Sequence, residues 1–489
     1  MKSTYVMLTL MMTFPALSAN VQLHNEQSIF KNLSVGDGYC LASSDNKTDL
    51  NFSVCKDSVE QKWTLVPSTI GMFMIRNESA PGKCLRTLGS GGAVQLGTCS
   101  GDGYTSMRLW SVTRAGQVIF LKNKYKNDAG HNEFFVAEAQ TKTVKMSASA
   151  DTESKSWDYS GEIPSPKNPV TGNKKVLLMA THFNDVAPAN PELVRKAVFG
   201  DGDDNVSLQH YLKSASRGKL SINGTFLQDI NLGDRPAACT SSQLLESARK
   251  AAREKGIEPN DYNYLFVDIS FLSTCKWDGL AATPGNWVIG NGSGHKYWMW
   301  SHEFGHNIGL KHITTLRKCP VNGDTVELGS KCTIGSGVDA GDTMGGGGGR
   351  MYPVNYQLFA GWLQDKDVPE IKNAGTYYLL PLWQDGGAQG YRITRSDGSV
   401  LVLEFRQPRD GFENWPENNP FVKGVTVRIA TYNGAVLTNT LVDATPETDD
   451  MKDAPLMPGK TLYDTLSGKL ITLISTDSSG ATIQVEDKD

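Results

Sequence analysis

The chain has 489 residues, enough for two or three domains that each bury a core. Acidic and basic residues nearly balance at a formal net charge of −4, so the strongly basic signature of a nucleic-acid binder is excluded. No later stretch approaches the ~20 consecutive apolar residues of a spanning helix, and no membrane span is expected.

Residues 1–19 read as a secretory signal: Lys2, an apolar stretch from about Tyr5 to Leu17, then Ala16-Leu17-Ser18-Ala19 with cleavage near Ser18 or Ala19. A secreted, extracellular protein is therefore expected. The eight cysteines agree, because an even count in an oxidising compartment favours disulfides. Sequence alone leaves the connectivity open. Local pairing is simplest, as Cys40–Cys55, Cys84–Cys99, Cys239–Cys275 and Cys319–Cys332. No C-x-x-C spacing supports a thiolate metal site instead.

An internal repeat fills residues 25–160. Trp63, Trp110 and Trp157 are spaced 47 and 47 apart. Gly38-Tyr39-Cys40-Leu41 leads to Gln61-Lys62-Trp63, and Gly82-Lys83-Cys84-Leu85 leads to Arg108-Leu109-Trp110. The third copy keeps Lys155-Ser156-Trp157 but lacks both cysteines; Phe134 precedes Trp157 by 23 residues, as Cys40 precedes Trp63. Three turn-rich copies around one core predict a β-trefoil. The section resembles the ricin-B-type lectin trefoil, in which Gln-x-Trp recurs once per repeat, although only the first copy here is complete. Ala42 and Arg86 stand where such copies carry a sugar-binding acid. The resemblance thus implies the fold more firmly than glycans as a partner, and the tryptophans are expected in the core.

Pro164, Pro166 and Pro169 among polar residues mark a linker over 161–173. Residues 174–366 then alternate strand and helix patterns. Val176 to Ala180 and Tyr264 to Ile269 read as strands, Leu208 to Ser216 and Leu244 to Lys255 as helices. Thr240 and Gln243 stand at capping-box separation before the second helix. Trp287-Val288-Ile289-Gly290 is a further strand. An α/β domain is expected here.

The most informative run follows: His302-Glu303-Phe304-Gly305-His306-Asn307-Ile308-Gly309-Leu310-Lys311-His312. On a helix, residues four apart share a face, so His302 and His306 can aim at one point. Gly309 can adopt a left-handed conformation, end the helix and swing His312 round as a third ligand. Three protein ligands with a vacant fourth position suit a catalytic Zn²⁺. Glu303, next to the first histidine, is placed to serve as the general base.

His-Glu-Phe-Gly-His-Asn-Ile-Gly-Leu, then Asp342-Thr343-Met344-Gly345 and Phe359-Ala360-Gly361-Trp362, resembles the gametolysin-like metzincin metallopeptidases. The likeness spans about residues 174–489 and is strongest over 262–362. It implies a methionine turn at Met344, which is better surrounded for that role than Met351. It implies one catalytic zinc on His302, His306 and His312, with Glu303 as catalytic base. It also implies hydrolysis of peptide bonds in extracellular proteins or glycoproteins, and a cleft bordered by a strand near Trp287–Gly290. Tyr352, Tyr356 and His295 stay outside the committed set. Asn355 to Leu363 reads as the helix closing this domain.

Residues 367–489 change to alternating strands, including Thr376 to Leu380, Val400 to Phe405, Val425 to Tyr432 and Ala481 to Val485, and predict a C-terminal β-sandwich. Asp449-Asp450 is an acidic pair of the kind that holds Ca²⁺, but no EF-hand pattern accompanies it and a solvated loop is expected. The sequence thus reads as a multidomain chain: N-terminal β-trefoil, central α/β metzincin-like domain, C-terminal β-sandwich. The competing functional reading is a carbohydrate-binding adhesin in which the trefoil is the working module.

Overall fold

A computed structural model describes residues 29–489, apart from 69–71, 90, 101–104, 116–117, 160–166, 203–205, 410, 434, 449 and 489. The secretory signal at 1–19 lies outside the described residues.

The N-terminal unit is built from short antiparallel strands in a ten-stranded sheet and a separate hairpin of Tyr39–Ser43 with Leu50–Val54. Its ends meet: Phe30–Asn32 pairs with Trp157–Tyr159. Each repeat delivers its tryptophan in the same way. Trp63, Trp110 and Trp157 are fully buried, and their indole Nε1 groups donate to the carbonyls of Leu41, Leu85 and Phe135 at 2.9, 2.9 and 2.8 Å. Burying the ring removes on the order of 200 Å² of apolar surface from water, and the bonded N–H keeps that burial from stranding a donor. Phe135 stacks on Trp157 at 4.6 Å, in the copy that has no disulfide.

A second repeat is made by asparagines. The Nδ2 groups of Asn32, Asn77 and Asn123 each donate 2.9 Å bonds to main-chain carbonyls of Ser154, Glu60 and Met107. Their Oδ1 atoms accept the amides of Ser34, Ser79 and Tyr125 at 3.1 Å. The unit is therefore a three-fold, trefoil-like fold around its own core.

The central unit contains a five-stranded sheet in the order Leu220–Asn231, Gly172–His182, Tyr264–Asp268, Trp287–Gly290, Gly279–Ala281. The first four run parallel and the last is antiparallel. Val176 to Ala180 are all buried, as a strand covered on both faces requires. The helices are Pro191–Phe199, Leu208–Ala215, Ser241–Glu254 and Tyr297–Asn307. The capping box expected at Thr240 does not form: Thr240 is the N-cap, but its side chain accepts no cap hydrogen bond. The expected linker is only part of a linker. Asn168 and Val170 amides bond to the carbonyls of Phe359 and Ala360, and the strand begins already at Gly172.

Two six-stranded sheets complete the chain. They are a sandwich, but one that crosses the boundary expected at 366–367. Thr314–Arg317 and Thr333–Gly335 join the first sheet through Val436–Val442, and Val321–Asn322 and Thr325–Leu328 join the second through Thr461–Asp464. The segment between the third histidine and the methionine turn is thus spent as sandwich strands. One core cluster likewise runs from Phe304 and Met344 to Val402, Ala430 and Leu437.

All eight cysteines are paired, as Cys40–Cys55, Cys84–Cys99, Cys239–Cys275 and Cys319–Cys332. Among the described residues no helix is long and apolar enough to cross a membrane.

Candidate metal centre

Helix Tyr297–Asn307 carries two of the three histidines. Its inner face is fixed by Trp300, which stacks on Phe266 at 5.4 Å and donates from Nε1 to the Gly294 carbonyl at 2.7 Å. Asn307 ties its last turn to the sheet through bonds to the carbonyls of Ala282 and Trp287 at 3.1 and 3.0 Å. His302 and His306 project together from the other face. The helix then stops as its sequence requires. Gly309 has φ +99°, its amide reaches the His306 carbonyl at 2.9 Å, and Leu310 N reaches that of Gly305 at 2.9 Å.

The C-terminal sandwich holds this turn. Leu437 N donates to the Gly309 carbonyl at 2.9 Å and Lys311 N to the Leu437 carbonyl at 3.0 Å. A Cβ at Gly309 would collide with the Ala435 carbonyl, so the glycine serves both its backbone angle and this close approach. His312 follows one residue after the clamped Lys311.

The three imidazoles converge. Nε2 of His312 lies 3.0 Å from that of His302 and 3.2 Å from that of His306, and one ligand atom from each residue falls within 4.8 Å of the others. The far nitrogens of two rings are engaged: His302 Nδ1 with the Thr343 carbonyl at 2.8 Å, His306 Nδ1 with the Leu310 carbonyl at 2.7 Å. Carbonyls accept, so each ring carries its proton on Nδ1 and turns a bare Nε2 lone pair inward. Burial also pushes His302 down and His306 down to about 4, which keeps both rings neutral near pH 7. Unprotonated nitrogens this close repel unless a cation lies between them. Tetrahedral zinc with nitrogens at about 2.0–2.1 Å sets them about 3.3 Å apart, so the donor set and its spacing fit that ion. It is the only such convergence of His, Cys, Asp or Glu among the described residues, and no calcium cluster accompanies it.

The turn at Thr343–Gly345 forms the floor. Asp342 caps it by accepting the Met344 amide at 2.8 Å. A Cβ at Gly305 would run into Met344 Sδ, which explains the glycine between the two helical histidines. Thr343 supplies the carbonyl that orients His302. Beneath the turn lies a buried ionic lattice. Arg428 bonds Asp339 at 2.7 Å and Glu404 at 2.8 Å, and Arg406 bonds Glu404 at 2.8 Å and Glu413 at 2.7 Å. Asn439 bonds Asp342 at 3.3 Å, so the sandwich again reaches the turn.

Glu303 is buried beside His302, and burial pushes its carboxyl up to about 8. A divalent cation at the histidines would pull it down again. Its Oε1 packs against Gly279, where a Cβ would come within 2.6 Å. This places the strand Gly279–Ala281 over the site and alters one expectation. Trp287–Gly290 pairs on both sides, with Tyr264–Asp268 and with Gly279–Ala281, so it is internal, and Gly279–Ala281 is the edge strand.

The remaining candidates fall outside the cluster. Tyr352 is buried and donates to the Ser301 carbonyl, Tyr356 is buried, and His295 is exposed just before the helix begins. Met351 lies away from the floor, its amide on Glu413. Sequence reasoning missed Gly279, Thr343 and Leu437, which act through backbone position and carry no residue-type signal.

No protein-family model and no curated protein sequence matches this chain. Several solved structures do over part of its length. The designed three-fold symmetric protein ThreeFoil is 15% identical, covering 28% of this chain and 99% of that one, with a TM-score of 0.24. SeviL bound to asialo-GM1 saccharide is 20% identical over 28% of this chain and 98% of that one, with a TM-score of 0.22. The GlcNAcα1-4Gal-releasing endo-β-galactosidase from Clostridium perfringens is 14% identical over 28% of this chain, with a TM-score of 0.24, and the match spans only 33% of that enzyme's length.

Proposed function

We propose that the chain is a secreted zinc-dependent endopeptidase of metzincin type, acting on extracellular proteins or glycoproteins. One observation carries the reading: three Nε2 lone pairs face one another, with the opposite nitrogens of His302 and His306 fixed on main-chain carbonyls. His302, His306 and His312 would hold the ion, and zinc supplies Lewis acidity towards water and a peptide carbonyl when bound. Glu303 takes a proton from the attacking water and delivers it to the leaving amine. Gly279 gives that carboxylate its room, and the edge strand above it offers main-chain groups to an extended substrate. Four disulfides and the signal-like N-terminus support export.

Glu303→Gln tests the proposal. Zinc content should stay near one ion per chain while hydrolysis of casein or gelatin falls by about 10²–10⁴, the usual worth of a general base. Full activity in that variant, or none in zinc-replete wild type, overturns it.

A second reading, a carbohydrate-binding protein working through its N-terminal unit, is favoured by that unit's self-contained three-fold core. Its tryptophans cannot be the sugar platform, since all are internal, and Ala42 is buried. Glycan binding that survives in a protein showing no hydrolysis would favour it.

A further inference from the structure

A second cavity, of about 560 Å³, opens beside helix Leu208–Ala215, and none of the three histidines lines it. Its size suits a small ligand, for which about 300–1,000 Å³ is usual. Lys213, Arg217 and Arg409 line it against a single carboxylate, Asp385, in a chain whose net charge is −4. Lys213 and Arg409 are exposed and have no ion-pair partner among the described residues.

Arg217 is different: its guanidinium is held rigidly. Nη1 donates to Gln357, and Nη2 donates to Gln389 and to the Leu382 carbonyl at 2.5 Å. Its Nε is buried and has no hydrogen-bond partner, with Asp385 3.9 Å away and largely in solvent. A fixed guanidinium with an unused donor is organised in advance for an oxyanion. The wall is Trp383, half-buried, with the Arg409 guanidinium 6.0 Å from its ring centre. A bare inorganic anion would leave that apolar wall unused.

We propose that this cavity binds an acidic sugar residue, a pyranose bearing a carboxylate or sulfate. The ring lies against Trp383, and the acid sits among Lys213, Arg409 and Arg217 Nε. The site is independent of peptide hydrolysis, so its failure and that of the peptidase reading are distinguishable.

Titration calorimetry of the full chain with glucuronate, galactose 6-sulfate, galactose, inorganic sulfate and a Glu-rich peptide tests it. Both acidic sugars should bind at least tenfold tighter than galactose, sulfate or the peptide. Lys213→Ala with Arg409→Ala should cut that affinity tenfold or more, and Trp383→Ala should weaken the sugars but not sulfate. The two cations are exposed, so melting should not change in the double variant. Sulfate binding as well as the acidic sugars, preference for the peptide, no sugar binding at all, or sugar binding indifferent to these substitutions would each overturn the proposal.

Discussion

The N-terminal unit and the histidine centre are made by opposite strategies. In the first, one local solution is written three times. Each tryptophan donates to a carbonyl 22 or 25 residues back, and both disulfides close loops of 15 residues. The second is assembled once from distant pieces: a helix at 297–307, a turn at 343–345, an edge strand at 279–281 and a strand at 436–442. Repetition makes a fold legible and self-sufficient. Assembly from scattered segments makes a site depend on parts of the chain that never touch it.

The sharpest way to break this contrast is His306→Ala. Metal analysis should show zinc falling from about one ion per chain to near none, with hydrolysis lost by at least about 10³, while the N-terminal unit melts unchanged. A nearly equal effect should follow from ending the chain at residue 366. That cut removes Leu437 from Gly309 and Lys311, and Arg428 and Asn439 from the methionine turn. The remaining central residues should be digested rapidly by a probe protease, whereas residues 25–160 expressed alone should resist it. A truncated protein that stays folded and zinc-loaded would refute the interlocking.

Trp110→Ala probes the other side of the comparison. Removing so large a buried side chain should cost the N-terminal unit about 3–5 kcal/mol in denaturant melts, with zinc content and hydrolysis untouched.

Legibility follows the same division. The tryptophan spacing and the cysteine pairs were readable because a repeated residue type at a fixed interval is a pattern. The asparagine repeat at 32, 77 and 123 was equally periodic but went unread, since asparagine in turns is common background. For the centre, His302, His306, His312, Glu303 and the role of Gly309 were visible as a motif, because side-chain chemistry and helix geometry fix the spacing. Thr343 and Leu437 were not, because they contribute carbonyl and amide groups that every residue owns. The boundary at 366–367 misled for a related reason. Strands at 314–335 pair with partners more than 100 residues later, and no local pattern encodes a partner.

The smallest expected effect concerns Asp268, at the end of a central strand. Burial holds its carboxyl up at about 7 in the folded protein, against an ordinary value of about 3.9. The folded state therefore binds this proton more tightly than the unfolded chain does. Its stabilising contribution is full below about pH 4 and is lost as pH rises towards 7, at up to about 1.4 kcal/mol per unit. Asp268→Asn should flatten that part of the slope when melts at pH 5 and pH 7 are compared, and an unchanged slope would discount the group.

The most direct test of the histidine centre is X-ray absorption at the zinc edge on the metal-replete, full-length protein. Three imidazole nitrogens at about 2.0–2.1 Å with one further light atom is the predicted environment. A sulfur-rich shell, a site without imidazole scattering, or protein that takes up no zinc would contradict it.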